Sequence, residues 1–359
     1  MKKKKVSKML KSIMKESIER IRAFFQRKIE SIDIYYIIES ANWAISEVAK
    51  DILPHIKNYK IKCVTRTDFI NKRAIIHYGS LNTFLEDKNI EKCKDNKIIV
   101  TCFHIVDSDP RKYTIADKDR YVYKWHTSCN ITKNKLIELG IDERKIVVIP
   151  ISVNIDNYKI IKKIQKDEQK RKFEIDDKKI VIGYFQKDGD GWGEGDTPKL
   201  IKGPDIFCDA LEKISRKYNV LVILSGPARG YVKRRLKEAN IPFKHFVFDE
   251  AKEVAILYQL IDIYMVTSRE EGGPRAILES MASGVPIIST NVGQAPDIIE
   301  NMKNGIIVPI EDTDAIVKSF ELIIENVELK NKMIQAGIET AKKFSSAVVA
   351  MQYENILYR

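Results

Sequence analysis

The feature that most constrains the fold of this chain is a repeated alternation of short apolar runs with helix-like stretches. In the first half, apolar runs at residues 34–39, 98–103 and 146–151 are separated by longer stretches in which apolar residues recur at helical spacing. A second series of the same kind begins at residue 180. Short apolar strands separated by helices are typical of parallel sheets covered by helices. The sequence therefore predicts an α/β fold with two doubly wound, Rossmann-like domains.

A lysine-rich stretch of low apolarity separates the two series and predicts the domain boundary. At 359 residues, the chain is long enough for two domains of ordinary size. A last amphipathic segment is expected to pack back across the first domain. The predicted order is a basic amphipathic helix at 1–30, an N-terminal Rossmann-like domain at 31–157, a linker at 158–176, a C-terminal Rossmann-like domain at 177–343 and a C-terminal helix at 344–359.

Most of the positive charge lies in the first thirty residues. The formal net charge is +12, and residues 1–30 hold eleven basic and three acidic side chains, which leaves +4 for the rest of the chain. Because so little basic charge lies outside this segment and no recognition motif accompanies it, we expect no nucleic-acid partner. Apolar residues recur in the segment at helical spacing. This pattern favours either attachment to an anionic membrane surface or docking on the protein's own body.

The composition is that of a soluble globular protein, with 44% apolar and 31% charged residues. No apolar run approaches the length of a membrane span, and no continuous apolar stretch follows the basic start as in a secretory signal. The five cysteines are scattered and lack metal-ligand spacing. We therefore expect a cytoplasmic protein without a metal site, held at the inner face of the membrane if the basic helix binds lipid.

Residues 268–286 combine the end of a strand, a Gly-Gly turn and a short, mostly apolar helix. Pro274 suits the first position of that helix, and Gly284 suits its end. The free N–H groups at a helix start attract anions, so the turn is a natural phosphate site. Two carboxylates flank it, Glu271 in the turn and Glu279 in the helix, and carboxylates accept hydrogen bonds from neighbouring hydroxyl groups. The segment predicts a ligand with phosphate and hydroxyl groups.

The stretch from Glu271 to Glu279 resembles the E-x7-E motif of retaining GT-B glycosyltransferases, specifically glycosyltransferase family 4. Residues 149–154, 289–293 and the pair Lys202-Gly203 resemble other patterns of that family. The resemblance implies two Rossmann-like domains that face each other across a cleft, with the acceptor on the N-terminal side.

Two departures from the family pattern affect the expected phosphate contacts. Gln186-Lys187 stands where the family usually has an arginine, so Lys187 is the expected substitute. Residues 40–43 replace the glycine-rich turn that usually follows the first strand, which leaves any phosphate contact from that domain open.

The resemblance implies separate roles for the polar residues. Glu279 is expected to hold the nucleotide ribose hydroxyls, and the base to lie near residues 247–249. Glu271, His104 and Lys202 are the expected catalytic residues: Glu271 faces the donor sugar, His104 lines it, and Lys202 binds the diphosphate. Further donor contacts are expected from Lys187, Gly203, Gly226, Arg229 and the backbone N–H groups of Gly272, Gly273, Arg275 and Ala276.

The implied activity is transfer of a sugar from a nucleotide-sugar to an acceptor hydroxyl with retained anomeric configuration and without a metal or other cofactor. The acceptor would be a glycan, a lipid-linked sugar or a protein, in the assembly of a cell-surface glycan, glycolipid or polysaccharide. Two alternatives use the same scaffold. One is a non-catalytic nucleotide-sugar-binding subunit of a glycan-assembly complex, and the other is a nucleotide-sugar epimerase or hydrolase, which forms product without an acceptor.

Overall fold

The computed structural model describes residues 32–39, 44–68, 70, 73–191, 193–248 and 250–359. The predicted basic helix at 1–30 and the unusual turn at 40–43 lie outside the described residues.

The first six strands form one parallel sheet, and they are β1 Ile34–Ile37, β2 Ile61–Val64, β3 Ile75–Tyr78, β4 Lys97–Thr101, β5 Lys124–Thr127 and β6 Ile146–Val148. Their order in the sheet is β2-β1-β3-β4-β5-β6, so the direction in which successive strands are added reverses between β1 and β3. The helices of this domain are α1 Ala44–Ile52, α2 Leu81–Glu86, α3 Thr114–Lys118 and α4 Asn130–Glu138. Single 3-10 turns lie at Leu53–His55, Ile90–Cys93, Pro110–Tyr113, Asp119–Tyr121 and Glu143–Lys145.

The next six strands form a second parallel sheet, and they are β7 Ile180–Tyr184, β8 Val220–Ser225, β9 Phe243–Phe246, β10 Ile263–Val266, β11 Ile287–Thr290 and β12 Ile306–Val308. Their order is β12-β11-β10-β7-β8-β9. The two parallel sheets confirm the predicted fold class. The helices of this half are α5 Lys163–Lys172, α6 Pro204–Ser215, α7 Gly230–Glu238, α8 Ala255–Tyr258, α9 Ala276–Ala282, α10 Ala295–Ile298, α11 Thr313–Glu325, α12 Val327–Lys343 and α13 Ser346–Gln352, with 3-10 turns at Leu200–Lys202 and Ala251–Val254 and a π-turn at Tyr353–Leu357.

Some predicted element bounds differ from the structure. β4 and β6 end two and three residues before the predicted strands 98–103 and 146–151 end. The apolar residues at 246–248 predict a short strand there, but β9 pairs with β8 from Phe243 to Phe246 and has ended before Phe248. Phe248 packs against the core without pairing in the sheet, which explains its apolar character. The predicted linker contains α5, which docks on the C-terminal domain through ion pairs of Lys166 and Lys170 with Asp262.

The C-terminal segment, residues 346–358, packs on the N-terminal sheet. Tyr353 and Leu357 are buried in one apolar cluster with Ile34 and Ile99 of that sheet. The Glu354 carboxylate also accepts hydrogen bonds from two backbone N–H groups, of Lys57 and Asn58, at 2.6 and 2.7 Å. The last helix of the chain is therefore part of the core of the first domain.

A buried chain of hydrogen bonds links this segment to the middle of the N-terminal sheet. His126 Nε2 lies 3.0 Å from the carbonyl oxygen of Ile149, which can only accept, so this nitrogen carries the proton. Nδ1 of His126 then accepts from Thr101 Oγ1 at 2.9 Å, and Thr101 Oγ1 accepts from His77 Nε2 at 2.7 Å. Nδ1 of His77 accepts from the Tyr358 hydroxyl at 2.8 Å. This arrangement of donors and acceptors requires both imidazoles to be neutral, because a protonated imidazole donates from both nitrogens and could not accept at Nδ1.

We expect acid to destabilise the fold through these two histidines. Burial lowers the pKa of His126 from 6.5 to about 4 and that of His77 well below 6.5. Below about pH 6.5 the unfolded chain binds protons that the folded protein does not, so the free energy of unfolding falls as the pH decreases, by up to about 1.4 kcal/mol per pH unit for each histidine. Urea unfolding between pH 7 and pH 5 measures the slope.

Two histidine variants distinguish this effect from that of the carboxylates, which also titrate in acid. The double substitution His77→Gln with His126→Gln should lower the slope, whereas His55→Gln, on an exposed 3-10 turn, should leave it unchanged. Equal slopes in the parent and the double variant would contradict the argument.

Candidate active site

A cleft lies where the carboxyl ends of the two sheets meet. In open parallel sheets ligands bind at this end of the strands. The cleft contains a cavity of about 370 Å³, and both domains line it. The lining includes Asp51 of α1, Asn154 and Tyr158 of the segment that crosses between the domains, and Phe185, Lys202, Tyr258, Glu271, Arg275 and Glu279 of the C-terminal domain.

The Gly272-Gly273 turn brings the C-terminal domain into direct contact with the N-terminal domain. A Cβ atom on Gly272 would lie 1.9 Å from the carbonyl oxygen of Phe103, and one on Gly273 would lie 2.5 Å from Ile151 Cδ1. Ser128 Oγ donates a hydrogen bond to the Gly272 carbonyl at 3.3 Å. A side chain at either position would push the domains apart, so the two glycines determine how closely the cleft walls approach.

Lys202 and Glu271 form an ion pair in the cleft, with 2.6 Å between Nζ and Oε1. Ser268 Oγ donates to the same carboxylate oxygen at 3.0 Å. The next residue, Gly203, has a φ of 62°, and a Cβ atom there would lie 1.9 Å from the Thr267 carbonyl oxygen. Only glycine fits this left-handed, crowded position, and it fixes the direction in which Lys202 enters the cleft.

Glu279 lies on α9 with both carboxylate oxygens engaged. Oε2 accepts from the Tyr258 hydroxyl at 3.0 Å, and Oε1 accepts from Arg275 Nε at 3.3 Å. The Nη2 atom of Arg275 donates to Asp51 Oδ2 of the opposite domain at 2.6 Å. Its Nη1 atom is buried and has no hydrogen-bond partner within the part of the chain that the structure describes. This network joins the carboxylate that is expected to hold ribose to the first helix of the N-terminal domain.

We expect Asp51→Asn to weaken nucleotide binding about fivefold, because losing one charge-assisted hydrogen bond costs roughly 1 kcal/mol. Without the charge on Asp51, Arg275 is attracted to Glu279 alone and competes with ribose hydroxyls for it. Titration calorimetry with a panel of nucleoside diphosphates measures the dissociation constants. Asp117→Asn, on the exposed surface of α3, is the control. An Asp51→Asn protein that binds the nucleotide as tightly as the parent would contradict this account.

His104 follows β4 and lines, together with Glu271, a cavity next to the one that Glu279 lines. Its side chain is 25% exposed, and Nε2 lies 3.6 Å from Glu270 Oε1 of the other domain. Lys135 of α4 binds that carboxylate oxygen at 2.6 Å and so makes a second ion pair between the domains. Burial has the largest effect on the pKa of His104 and lowers it. The negative charge of Glu271 raises this pKa, and the positive charge of Lys202 lowers it. The imidazole is therefore neutral at neutral pH and able to donate one hydrogen bond into the site.

Arg229 does not face the cleft, contrary to the sequence-based prediction. Its guanidinium is fully buried, pairs with Asp188 Oδ2 at 2.6 Å and donates to the carbonyl oxygens of Ser225 and Tyr184. Those bonds hold the glycine-rich loop after β7 against the start of α7. Arg229 positions this loop and is unable to reach a ligand in the cleft.

The other predicted donor contacts fall into two groups. Gly273, Arg275 and Ala276 line the cavity together with Lys202, Glu271 and Glu279. Gly203, Gly226 and Gly272 lie outside that lining. Gly226 is in a left-handed turn, and its carbonyl oxygen accepts from His245 Nε2 at 2.7 Å. Lys187, half-buried, also lies outside the lining among the described residues.

Four residues of the site were not predicted from the sequence. Asp51, Tyr158 and Tyr258 line the cavity, and Glu270 contacts His104. Asp51 lies 224 positions from Arg275, so no local pattern connects the two. Glu270 directly precedes Glu271, and only the structure distinguishes the direction in which each carboxylate points.

Two observations concern metals and membranes. Among the described residues, no group of three or more histidine, cysteine, aspartate or glutamate side chains is arranged to hold a metal ion. Within the same residues, every helix is too short or too polar to cross a lipid bilayer.

Comparisons with known proteins show what this chain is similar to. Residues 197–340 match the family model described as Glycosyl transferases group 1. The chain is 25% identical over 241 residues to N-acetyl-alpha-D-glucosaminyl L-malate synthase of Bacillus anthracis, which covers 63% of this chain and 62% of that protein. It is also 25% identical to an uncharacterized 41.2 kDa protein in the cps region of Klebsiella pneumoniae, over 71% of this chain and 70% of that protein. The chain thus spans under two thirds of the first of these relatives.

Solved structures resemble the whole two-domain arrangement. Anabaena HepE in complex with UDP and glucose superposes with a TM-score of 0.75 at 16% identity, and covers 91% of this chain and 99% of that one. The lipopolysaccharide outer core galactosyltransferase WaaB in its apo form gives a TM-score of 0.66 at 15% identity, over 90% and 98% of the two chains. HepE has also been solved with UDP-glucose.

Two parallel-sheet domains around a cleft define the GT-B class of folds, and the structural similarity confirms this class over 91% of the chain. Residues 197–340, which carry both glutamates of the E-x7-E pattern, match the model of the group 1 glycosyltransferases. The predicted resemblance to glycosyltransferase family 4 is confirmed.

Proposed function

We propose that this protein transfers a sugar from a nucleotide-sugar to an acceptor hydroxyl with retention of anomeric configuration. The observation that carries the proposal is the meeting of Lys202, Glu271 and Glu279 in one interdomain cavity. Such a donor has three parts: Lys202 would bind its diphosphate, Glu279 its ribose hydroxyls and Glu271 the hydroxyls of its sugar. The match to the group 1 glycosyltransferases supports the same reaction.

The Lys202–Glu271 ion pair suggests how the donor engages the site. A bound diphosphate carries more charge than Glu271, so it attracts Lys202 and releases the Glu271 carboxylate. That carboxylate then accepts hydrogen bonds from hydroxyl groups of the donor sugar. During the reaction, Lys202 and the N–H groups at the start of α9 stabilise the charge that grows on the leaving diphosphate. His104 lines the donor sugar from the opposite domain.

The donor is proposed to be a UDP-sugar, since similar structures hold UDP or UDP-glucose. The ribose would bind to Glu279. The base would lie near residues 247–248 and 250–254, where Val254 already lines the cavity. Contacts of the Gly272-Gly273 turn bring the two domains together, and closure of the domains around the donor would exclude water and limit hydrolysis.

The acceptor is proposed to be a growing cell-surface glycan, a lipid-linked sugar or a protein. Relatives include the capsular polysaccharide biosynthesis glycosyltransferase CapM of Staphylococcus aureus, 23% identical, and the lipopolysaccharide core biosynthesis mannosyltransferase LpsB of Rhizobium meliloti, 22% identical. Cell-surface glycans are made at the membrane, and we propose a cytoplasmic enzyme that residues 1–30 hold at its inner face. Flotation with anionic liposomes, with and without those residues, tests the attachment.

A panel of nucleotide-sugars with and without acceptor glycans tests the function. The proposed enzyme is stabilised by its donor and forms a glycosylated product only when an acceptor is present, with the anomeric configuration read by NMR. Conversion of the donor sugar without acceptor would favour an epimerase or hydrolase. Donor binding with no turnover on any acceptor would favour the non-catalytic subunit.

A further inference from the structure

We propose that the N-terminal domain contains a distal acceptor subsite that binds a neutral glycan longer than one sugar ring. The inference rests on the proposed function, because it concerns the acceptor of that reaction. The subsite is a cavity of about 520 Å³ at the carboxyl ends of β1, β2 and β3, where the order of the strands reverses. It is larger than the 370 Å³ cavity of the donor cleft.

Most of the residues that line the distal cavity are polar or charged. Ile37 is its only aliphatic residue among those described, and the Tyr78 ring is its only aromatic surface. Apolar peptides and acyl chains bind in hydrophobic grooves, whereas hydroxyl-rich ligands need closely spaced hydrogen-bonding groups. The composition of this cavity therefore favours a carbohydrate.

Several of its polar side chains are already held in place. The Asp87 carboxylate accepts from the Tyr78 hydroxyl at 2.6 Å, from Thr67 Oγ1 at 2.7 Å and from the backbone N–H of Asn89 at 2.7 Å. Glu39 Oε1 accepts from Ser80 Oγ at 2.6 Å. Because these bonds order the walls in advance, little side-chain entropy is lost when a ligand binds.

The charge of the lining favours a neutral glycan over an anionic one. Three carboxylates, of Glu39, Glu86 and Asp87, face two cations, of Arg66 and Lys88. Arg66 is moreover engaged with the Asp68 carboxylate through two hydrogen bonds of 3.1 Å. A sulfated, phosphorylated or sialylated ring would meet a net negative lining, whereas hydroxyl groups can donate to each carboxylate.

A continuous set of lining residues connects the distal cavity to the reaction centre. Asn82 lines both the distal cavity and a neighbouring cavity of about 210 Å³, which reaches Phe103 and His104. His104 and Glu271 line a further cavity together. From β4, which ends before His104, to β2 the sheet advances by three strand spacings, about 14 Å. A single sugar ring at His104 does not span that distance, so the distal cavity is reached by the second or a later ring.

The position of Asn82 provides a sharp test. Asn82 is exposed at the junction of the two cavities, so Asn82→Trp should block the passage without disturbing the core, and Asn82→Ala should leave it open. The parent and both variants, saturated with UDP, are applied to an array of neutral and anionic glycans of one to six rings. The UDP dissociation constants of all three proteins are measured first.

We expect the parent to bind neutral glycans of two or more rings. Asn82→Trp should weaken that binding at least about 50-fold, through loss of the whole distal subsite, and Asn82→Ala at most about fivefold, through loss of one neutral hydrogen bond. Tightest binding to single rings or to anionic glycans, equal binding by Asn82→Trp and the parent, or no glycan binding at all would overturn the inference. UDP binding in the same preparations keeps the outcome separate from failure of the donor site, since a protein that binds no UDP contradicts the proposed function itself.

Discussion

We expect Lys202→Ala to lower kcat by about 100- to 1000-fold, the cost observed when one preorganised charge-stabilising donor is removed from an active site. Lys202 lies where negative charge grows on the leaving diphosphate in the proposed reaction. Its Nζ atom is 2.6 Å from Glu271, and the Lys202 side chain is only 20% exposed. A charge that water screens this little interacts strongly with the transition state.

The measurement is steady-state transfer with the donor found in the nucleotide-sugar panel, with kcat and KM reported separately. Lys202→Arg should recover part of kcat, because it keeps the charge but not the compact ammonium geometry. Lys213→Ala is the matched control, since it removes a lysine whose ion pair with Asp314 is exposed on α6. A Lys202→Ala enzyme with parental kcat and a raised KM would mean that Lys202 only binds the donor in its ground state.

The sequence predicted the architecture because burial pattern and chain order determine it. The central strands of a doubly wound sheet are apolar on both faces, and β8, for example, is buried at all six positions. The ends of strands were less predictable, because apolar residues such as Phe248 also pack beside a sheet without pairing in it. Local pattern therefore fixes the order of elements better than their length.

The site was predictable where it depends on local chemistry. Glu271 and Glu279 lie on one turn and helix, so their spacing alone places both carboxylates in the cavity. Arg229 shows the limit of the same reasoning. In a sequence, a cationic residue after a strand gives the same pattern whether it faces a ligand or a buried carboxylate. The structure pairs Arg229 with Asp188, 41 residues earlier.

Contacts between the domains were not predictable, although they determine the shape of the cleft. The ion pairs of Arg275 with Asp51 and of Lys135 with Glu270 each join residues from different domains. The close fit of Gly272 against Phe103 lies in the same interface. Because the donor cavity is built from both sides of this interface, a change in domain separation alters the contact of Asp51 with Arg275 in that cavity. Arg275 contacts both Glu279 and Asp51, so it links the Glu279 carboxylate to the opposite domain.

We expect Glu279→Ala to weaken UDP binding roughly 100-fold, because two charge-assisted hydrogen bonds from the ribose hydroxyls together contribute about 3 kcal/mol. In the structure both oxygens of Glu279 already accept hydrogen bonds, from Tyr258 and Arg275, so the carboxylate is held ready for the diol. Glu279→Gln keeps the shape and one acceptor, and its affinity should fall between those of the parent and the alanine variant. Titration calorimetry with UDP and with inorganic diphosphate measures the effect, and only the ribose-bearing ligand should respond. Glu300→Ala, which removes an exposed carboxylate paired with Lys303, is the control. If Glu279→Ala binds UDP within about threefold of the parent, a difference of under 1 kcal/mol, the ribose is not held by this residue.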